Sequence, residues 1–327
     1  MSHNFLRAKI QHIFKLYEVY LIMAVVQVSR YKTLTGHKDC IYTVTSSPEK
    51  DKFLSAAGDG MVVLWEMNGS EDGQLVANVS NSIYSLCPLE EINQLIVGHN
   101  YEGIHIIDLE NRKEIGSLKY TEAAIFDIYF HRGILFAGSA EGTLTMIDPQ
   151  NLSILGKIRK SHQSIRTITS NGDHLAVGYS DHFIRIFNLG SMEMIHEFKA
   201  HENSVFALKY SPDGQYLLSG SRDAHLNIWN KKEDYQLKES IIAHMYAINS
   251  IDYSQDGRYF ATCSMDKTIK IWEAGKFKLL KVIDRSRHGG HLTSVNKIFW
   301  SNYKNRLISC SDDRSISIWD LKFNPLP

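Results

Sequence analysis

A unit of about forty residues returns seven times along this chain, and that repeat limits the fold more than any other feature. Aligned at the end of an apolar strand, the units place Trp65, Ile107, Ile147, Phe187, Trp229, Trp272 and Trp319 in equivalent positions, at successive spacings of 42, 40, 40, 42, 43 and 47 residues. Four of the five tryptophans fall on this grid, Trp300 being the exception. A period of roughly 40–45 residues is that of a four-stranded blade. One such unit cannot bury its own apolar faces, so neighbours must pack on one another.

The clearest unit runs from His201 to Asn230. It opens with Ala200-His201 and an apolar strand, Val205-Phe206-Ala207-Leu208. A turn follows at Ser211-Pro212-Asp213-Gly214, where Pro presets one turn angle and Gly accepts the positive one. A second strand, Tyr216 to Gly220, a tight turn at Arg222-Asp223 and a third strand, Leu226 to Trp229, complete it. Matching pieces recur at Phe53 to Trp65, Tyr259 to Trp272 and Leu307 to Trp319.

With its Gly36-His37 element and its Trp319-Asp320 ending, the sequence resembles the WD40 repeat family over nearly all of the chain after Met23. The resemblance implies an all-β fold, a seven-bladed β-propeller of four-stranded antiparallel blades around a central channel. The last unit leaves only Leu321 to Pro327, while strand-like Val26 to Leu34 precedes the first Gly-His element. As in the family, this N-terminal strand is expected to complete the last blade and close the ring.

The length of 327 residues alone suggests about two domains, but the repeats assign residues 24–327 to one closed propeller. Residues 1–23 stand apart. Arg7, Lys9 and Lys15 precede the short apolar run Val19 to Val26, which is too short to span a bilayer. A weak signal peptide, a short helix with Phe5, Ile10, Ile13, Phe14, Leu16 and Tyr17 on one face, and a start at Met23 are all open readings. A short helix or a mis-annotated leader is favoured over secretion. The 36 basic and 36 acidic residues cancel, poor footing for a general nucleic-acid binder, though a local basic patch is compatible with it. Cys40, Cys87, Cys263 and Cys310 are far apart with no C-x-x-C pair, as expected of reduced thiols in a cytoplasmic protein.

Four units repeat a His, a Ser or Thr, an Asp and a Trp. These are His37, Ser55, Asp59, Trp65; His201, Ser219, Asp223, Trp229; His244, Thr262, Asp266, Trp272; and His291, Ser309, Asp313, Trp319. An active site is normally present once, and no Gly-x-Ser-x-Gly turn surrounds these serines. A buried structural network explains them better, each polar group satisfying the next. In the family such a chain ties the inter-blade loop to the third strand. Unit four keeps His162 and Asp181 but has Val177 and Phe187; unit three has Ala137, Glu141 and Ile147; unit two has Val97, Tyr101 and Ile107. Units two to four are therefore expected to rely on apolar packing and to form the less rigid arc. The pairs His99/His105 and His288/His291 lack a third ligand at a natural spacing, so no metal or cofactor is expected.

In the family, the residue after the Val or Ile that opens the innermost strand often points to the top of the channel. Carried over, this gives Tyr42, Tyr84, Phe126, Arg166, Phe206, Asn249 and Asn296. The position before the network Asp gives Gly58, Ser180, Arg222, Met265 and Asp312, with Asn100 and Ala140 in units two and three. Aromatics with Arg are typical of binding hot spots, a reading preferred here to rings that merely plug the channel. The loop Asp284 to Gly290 is expected on the top side, with Arg285 and Arg287 either solvated or facing an acidic or phosphorylated segment. The reading is a non-catalytic module that binds a protein or peptide partner, without a membrane. An enzyme with a channel site, and weak nucleic-acid contact through Arg166, Arg222, Arg285 and Arg287, are the alternatives.

Overall fold

The computed structural model describes residues 26–324. The expectations for residues 1–23 lie outside this range. The described residues form 28 strands in seven four-stranded antiparallel sheets. Each sheet is one blade, and six of them are built from four consecutive strands. The innermost strands are β2 (Ile41–Ser46), β6 (Ile83–Leu89), β10 (Ile125–His131), β14 (Ile165–Asn171), β18 (Val205–Tyr210), β22 (Ile248–Tyr253) and β26 (Val295–Trp300).

Closure follows from the seventh blade. Its strands β26, β27 (Leu307–Ser311) and β28 (Ser315–Phe323) come from the end of the chain, and its outer strand is β1 (Val26–Thr35). The pairing runs from Val26 opposite Phe323 to Thr35 opposite Ser315, interrupted by a bulge at Tyr31. Ring closure by the N-terminal strand is thus seen directly, and it leaves no free edge on β28. Trp300, off the repeat grid, serves this blade. It is buried, donates its indole N–H to Asn305 Oδ1 at 2.7 Å and stacks with Phe323.

The core lies between the blades. Leu54, Ala56 and Val62 of blade 1 pack on Ile83, Leu95, Val97 and Ile107 of blade 2. Ile96 and Ile104 of blade 2 meet Ile125, Ala137 and Ile147 of blade 3, and Phe136 and Leu144 meet Val177 and Phe187 of blade 4. The residues that replace Ser and Trp in units two to four therefore sit in the inter-blade core. A Ser-to-Val or Trp-to-Ile exchange removes a polar atom that would need a partner and keeps the apolar contact.

Candidate functional site

Each of the four repeated sets forms one hydrogen-bonded chain. In blade 5, His201 Nδ1 lies 3.1 Å from Asp223 Oδ2, Nε2 lies 2.7 Å from Ser219 Oγ, and Trp229 Nε1–H donates to the same Oγ at 2.8 Å. The corresponding distances are 3.1, 2.8 and 2.7 Å around His37, 2.9, 2.8 and 3.0 Å around His244, and 3.1, 2.8 and 2.9 Å around His291. Each Asp also accepts a backbone N–H just past the His, from Lys38, Glu202, Met245 or Leu292. Burial alone would raise the Asp223 carboxyl, but His201 and the backbone donors hold it well below the ordinary range. Burial lowers His37 and His244 against the pull of their aspartates. The serines are fully buried and saturated with partners, so they cannot meet a substrate.

Unit four departs from the sequence expectation. His162 is exposed and takes no part in a network. It sits one residue too late, three before Ile165, whereas His201 stands four before Val205. Asp181 instead pairs with Arg185 at 2.8 Å, and Arg185 also donates to Glu197 at 2.6 Å. The guanidinium covers the ring of Tyr179, 4.4 Å from its centroid. The aspartate that meets histidine elsewhere thus meets an arginine of the third strand in blade 4.

The top of the channel is built by a repeated backbone device. In all seven innermost strands the register skips one residue, and the skipped residues are Tyr42, Tyr84, Phe126, Arg166, Phe206, Asn249 and Asn296. A bulge re-aims its side chain out of the ladder, so these seven are the positions free to turn toward one rim. The second set is equally regular. Gly58, Asn100, Ala140, Ser180, Arg222, Met265 and Asp312 each donate a backbone N–H to the residue immediately before the opening of their inner strand, Gly58 to Cys40 and Met265 to Ala247 among them. Asn100 and Ala140 are therefore the true equivalents in blades 2 and 3.

Five bulge residues form a continuous ladder. The Tyr42 and Tyr84 rings are 4.8 Å apart and Tyr84 and Phe126 5.4 Å. Arg166 then lies between Phe126 at 4.1 Å and Phe206 at 4.7 Å. Burial lowers the Arg166 pKa, Tyr84 opposing and Arg222 adding to the effect. The other two close the circuit with hydrogen bonds. Asn249 donates to Val295 O at 2.8 Å, and Asn296 donates to Ile41 O at 2.9 Å and to Asp312 Oδ1 at 2.7 Å. All seven side chains are half-buried, so they both fasten neighbouring blades and floor the rim.

Blades 5 and 6 set a group of exposed residues beside this floor. Arg222 is exposed, and Met245, Tyr246 and Met265 are 81%, 58% and 57% exposed. Tyr246 and Met265 sit together, because Tyr246 O accepts from Ser264 Oγ and Ala247 O accepts from Met265 N–H. Met245 and Tyr246 escape a search confined to the two repeat positions. The available signal was that Met245-Tyr246 follows its histidine where the other networked units carry Lys38-Asp39, Glu202-Asn203 and Leu292-Thr293.

The loop after residue 283 contains a one-turn helix, Arg285–His288, capped by the Asp284 side chain on Arg287 N–H. Arg287 Nε also pairs with Asp284 Oδ2 at 2.7 Å, and Arg30 of β1 donates to Gly289 O. The loop thus lies against the outermost strand of blade 7, with Arg285 exposed and Arg287 engaged by its own cap. Lower in the channel, a cavity of about 260 Å³ holds Asp127, Lys209, Asp252 and Lys297. Asp252 pairs with Lys209 at 2.8 Å and accepts Trp300 N–H, while Asp127 accepts the N–H groups of Ile128 and Ile168.

One premise about metals is corrected. His99 and His105 do have a third group, because the turn between them brings Glu102 within 3.9 Å of both Nε2 atoms. His288 and His291 have no such partner in a candidate metal cluster among the described residues.

Seven blades, four buried tetrads and a bulged rim define a repeat-built β-propeller. Residues 29–66, 192–230, 235–273 and 281–320 match the WD domain, G-beta repeat, so four units of the chain are WD40 repeats. These are the units that carry the intact networks. The chain is similar to a striatin homolog of Dictyostelium discoideum, 27% identical over 202 residues, covering 60% of this chain and 21% of that protein. It is similar to striatin-3 of Homo sapiens, 26% identical over 219 residues, covering 65% and 23%. It spans less than a quarter of the length of either relative. The solved WD40 beta propeller domain of Doa1 aligns over 90% of this chain and 97% of its own with a TM-score of 0.80 at 19% identity, a likeness of fold. No helix of the described residues is long and apolar enough to cross a membrane.

Proposed function

We propose that the protein is a non-catalytic scaffold that holds a protein or peptide partner on the top face of the propeller. The observation that carries this reading is the exposed group Arg222, Met245, Tyr246 and Met265 beside the half-buried ladder of rings. Two methionines and a tyrosine offer adaptable apolar area with one polar handle, and Arg222 adds a charged donor. The kinship with the striatins supports a scaffold role in general, and the finer assignment rests on the rim itself.

The groups that could serve chemistry are already committed. The buried serines belong to structural networks, and the channel carboxylates are taken up by Lys209 and by backbone N–H groups. This favours a binding module over a channel enzyme. The basic set is also depleted as a nucleic-acid surface, since Arg166 is stacked and Arg287 is paired with Asp284. The buried thiols Cys87, Cys263 and Cys310 fit a reducing compartment such as the cytoplasm.

A photo-crosslinking residue placed at Tyr246 tests the reading. Adducts with a partner are expected there and absent with the same residue at exposed Lys232, in a turn on the opposite side. Equal labelling at both positions, or none at Tyr246, would remove the top-face assignment.

A further inference from the structure

Blade 2 lacks every member of the structural tetrad, and another cluster stands in its place. His99 ends β7 (Gln94–His99), and His105 lies in β8 (Gly103–Asp108). The register sets His105 opposite Val97. Side chains alternate along a strand, so Val97, His99 and His105 share one face. Both imidazoles are buried, and their Nε2 atoms are 2.6 Å apart. His105 Nδ1 faces Glu114 Oε1 at 3.1 Å from β9 (Lys113–Leu118). His105 thus sets Nδ1 beside the Glu114 carboxylate and Nε2 toward His99. The tight turn, with positive φ at Tyr101 and Gly103, carries Glu102 over the pair, 3.9 Å from each Nε2.

We propose that His99, His105 and Glu102 bind a divalent transition-metal ion of the zinc class, with Glu114 orienting His105. Two imidazole nitrogens and one carboxylate oxygen form a donor set that zinc takes at about 2.0–2.2 Å, with water as the fourth ligand. Tetrahedral coordination at those lengths separates ligand atoms by about 3.3 Å. The two Nε2 atoms would open, and the Glu102 oxygen would close, by similar amounts of under about 1 Å. Glu102 is partly exposed and free to make the adjustment. A carboxylate on the far nitrogen of a ligand histidine fixes its tautomer and raises its basicity. The ion would brace the β7–β8 turn of a blade that has Val97, Tyr101 and Ile107 where others have Ser, Asp and Trp.

The competing arrangement is a proton shared between the two histidines with no ion. Titration calorimetry of the chelator-treated full chain with zinc chloride separates the two. Saturable uptake of one zinc per chain is expected, abolished by His105→Gln, with a raised melting temperature in wild type. Glu102→Gln, at a partly exposed position, should retain the fold and weaken uptake at least tenfold, and Glu114→Gln should weaken it about 10–100-fold. Absence of saturable uptake, or uptake unchanged in both Glu102→Gln and His105→Gln, would overturn the proposal and leave the shared proton.

Discussion

Arg166 stacks its guanidinium on the ring of Phe126, 4.1 Å from the centroid, and so joins blade 4 to blade 3 at the channel mouth. The same guanidinium meets Phe206 of blade 5 on the other side. Partly desolvated contacts of this kind are each worth about 0.5–2 kcal/mol. Arg166→Ala should therefore lower stability by about 1–3 kcal/mol, read by urea denaturation. Arg166→Lys should recover only part of the loss, because an ammonium cannot lie flat between two rings. Full rescue by Lys would contradict the stacking account.

The networks give a second, separable expectation. Asp223→Ala strands the N–H groups of His201 and Glu202 and should cost about 1–3 kcal/mol. Partner recognition should survive, since the carboxylate lies beneath the rim. A change in the set of captured partners with little change in stability would reverse the assignment.

Stability should fall on acidification in two windows. His37 and His244 have folded pKa values below the ordinary 6.5, so the unfolded chain binds protons first. Their contribution is full above about pH 6.5 and is lost as pH falls from there toward the folded values. The lowered carboxyls Asp59, Asp223, Asp266 and Asp313 contribute fully above about pH 4 and lose it below. Melting temperatures between pH 7.5 and 3 should show both declines. A flat profile from pH 7 to 5 would show that the histidines titrate alike in the folded and unfolded chain.

Ring closure by β1 is tested by removing residues 26–34. The deletion exposes the edge of β28 from Ile316 to Phe323 and should cause a large loss of cooperative stability. Unchanged melting would show that three strands suffice for the last blade.

The fold was legible because its signal is periodic. Seven equivalent strand ends, the turn at Pro212-Asp213-Gly214 and the spare strand at Val26 to Leu34 all agree on one closed ring. The rim was legible as positions and not as interactions. Counting from the opening Val or Ile finds Phe126 and Arg166, but only the bulge and the resulting contact show that they also hold blades together. His162 misleads because one residue of register decides whether an imidazole enters the network. Met245 and Tyr246 lie in a loop outside the repeat positions, and their significance rests on exposure. Glu102 and Glu114 join His99 and His105 only through the turn and the strand pairing. Units two to four lack the network in sequence, and hydrogen exchange should show whether their amides open more readily than those of blades 5 to 7.

The exposed rim should meet the partner, and the floor beneath it should hold the blades together. Phe206 supports Arg166, so its truncation mixes stability with binding. Arg222, Tyr246 and Met265 are exposed and avoid that confusion. The most direct measurement is quantitative affinity capture with mass spectrometry, comparing wild type with an Arg222→Glu, Tyr246→Ala, Met265→Asp variant at matched melting temperature. Partners held by wild type should be lost from the variant while its melting curve is nearly unchanged. The same partners recovered in the same amounts would contradict this expectation.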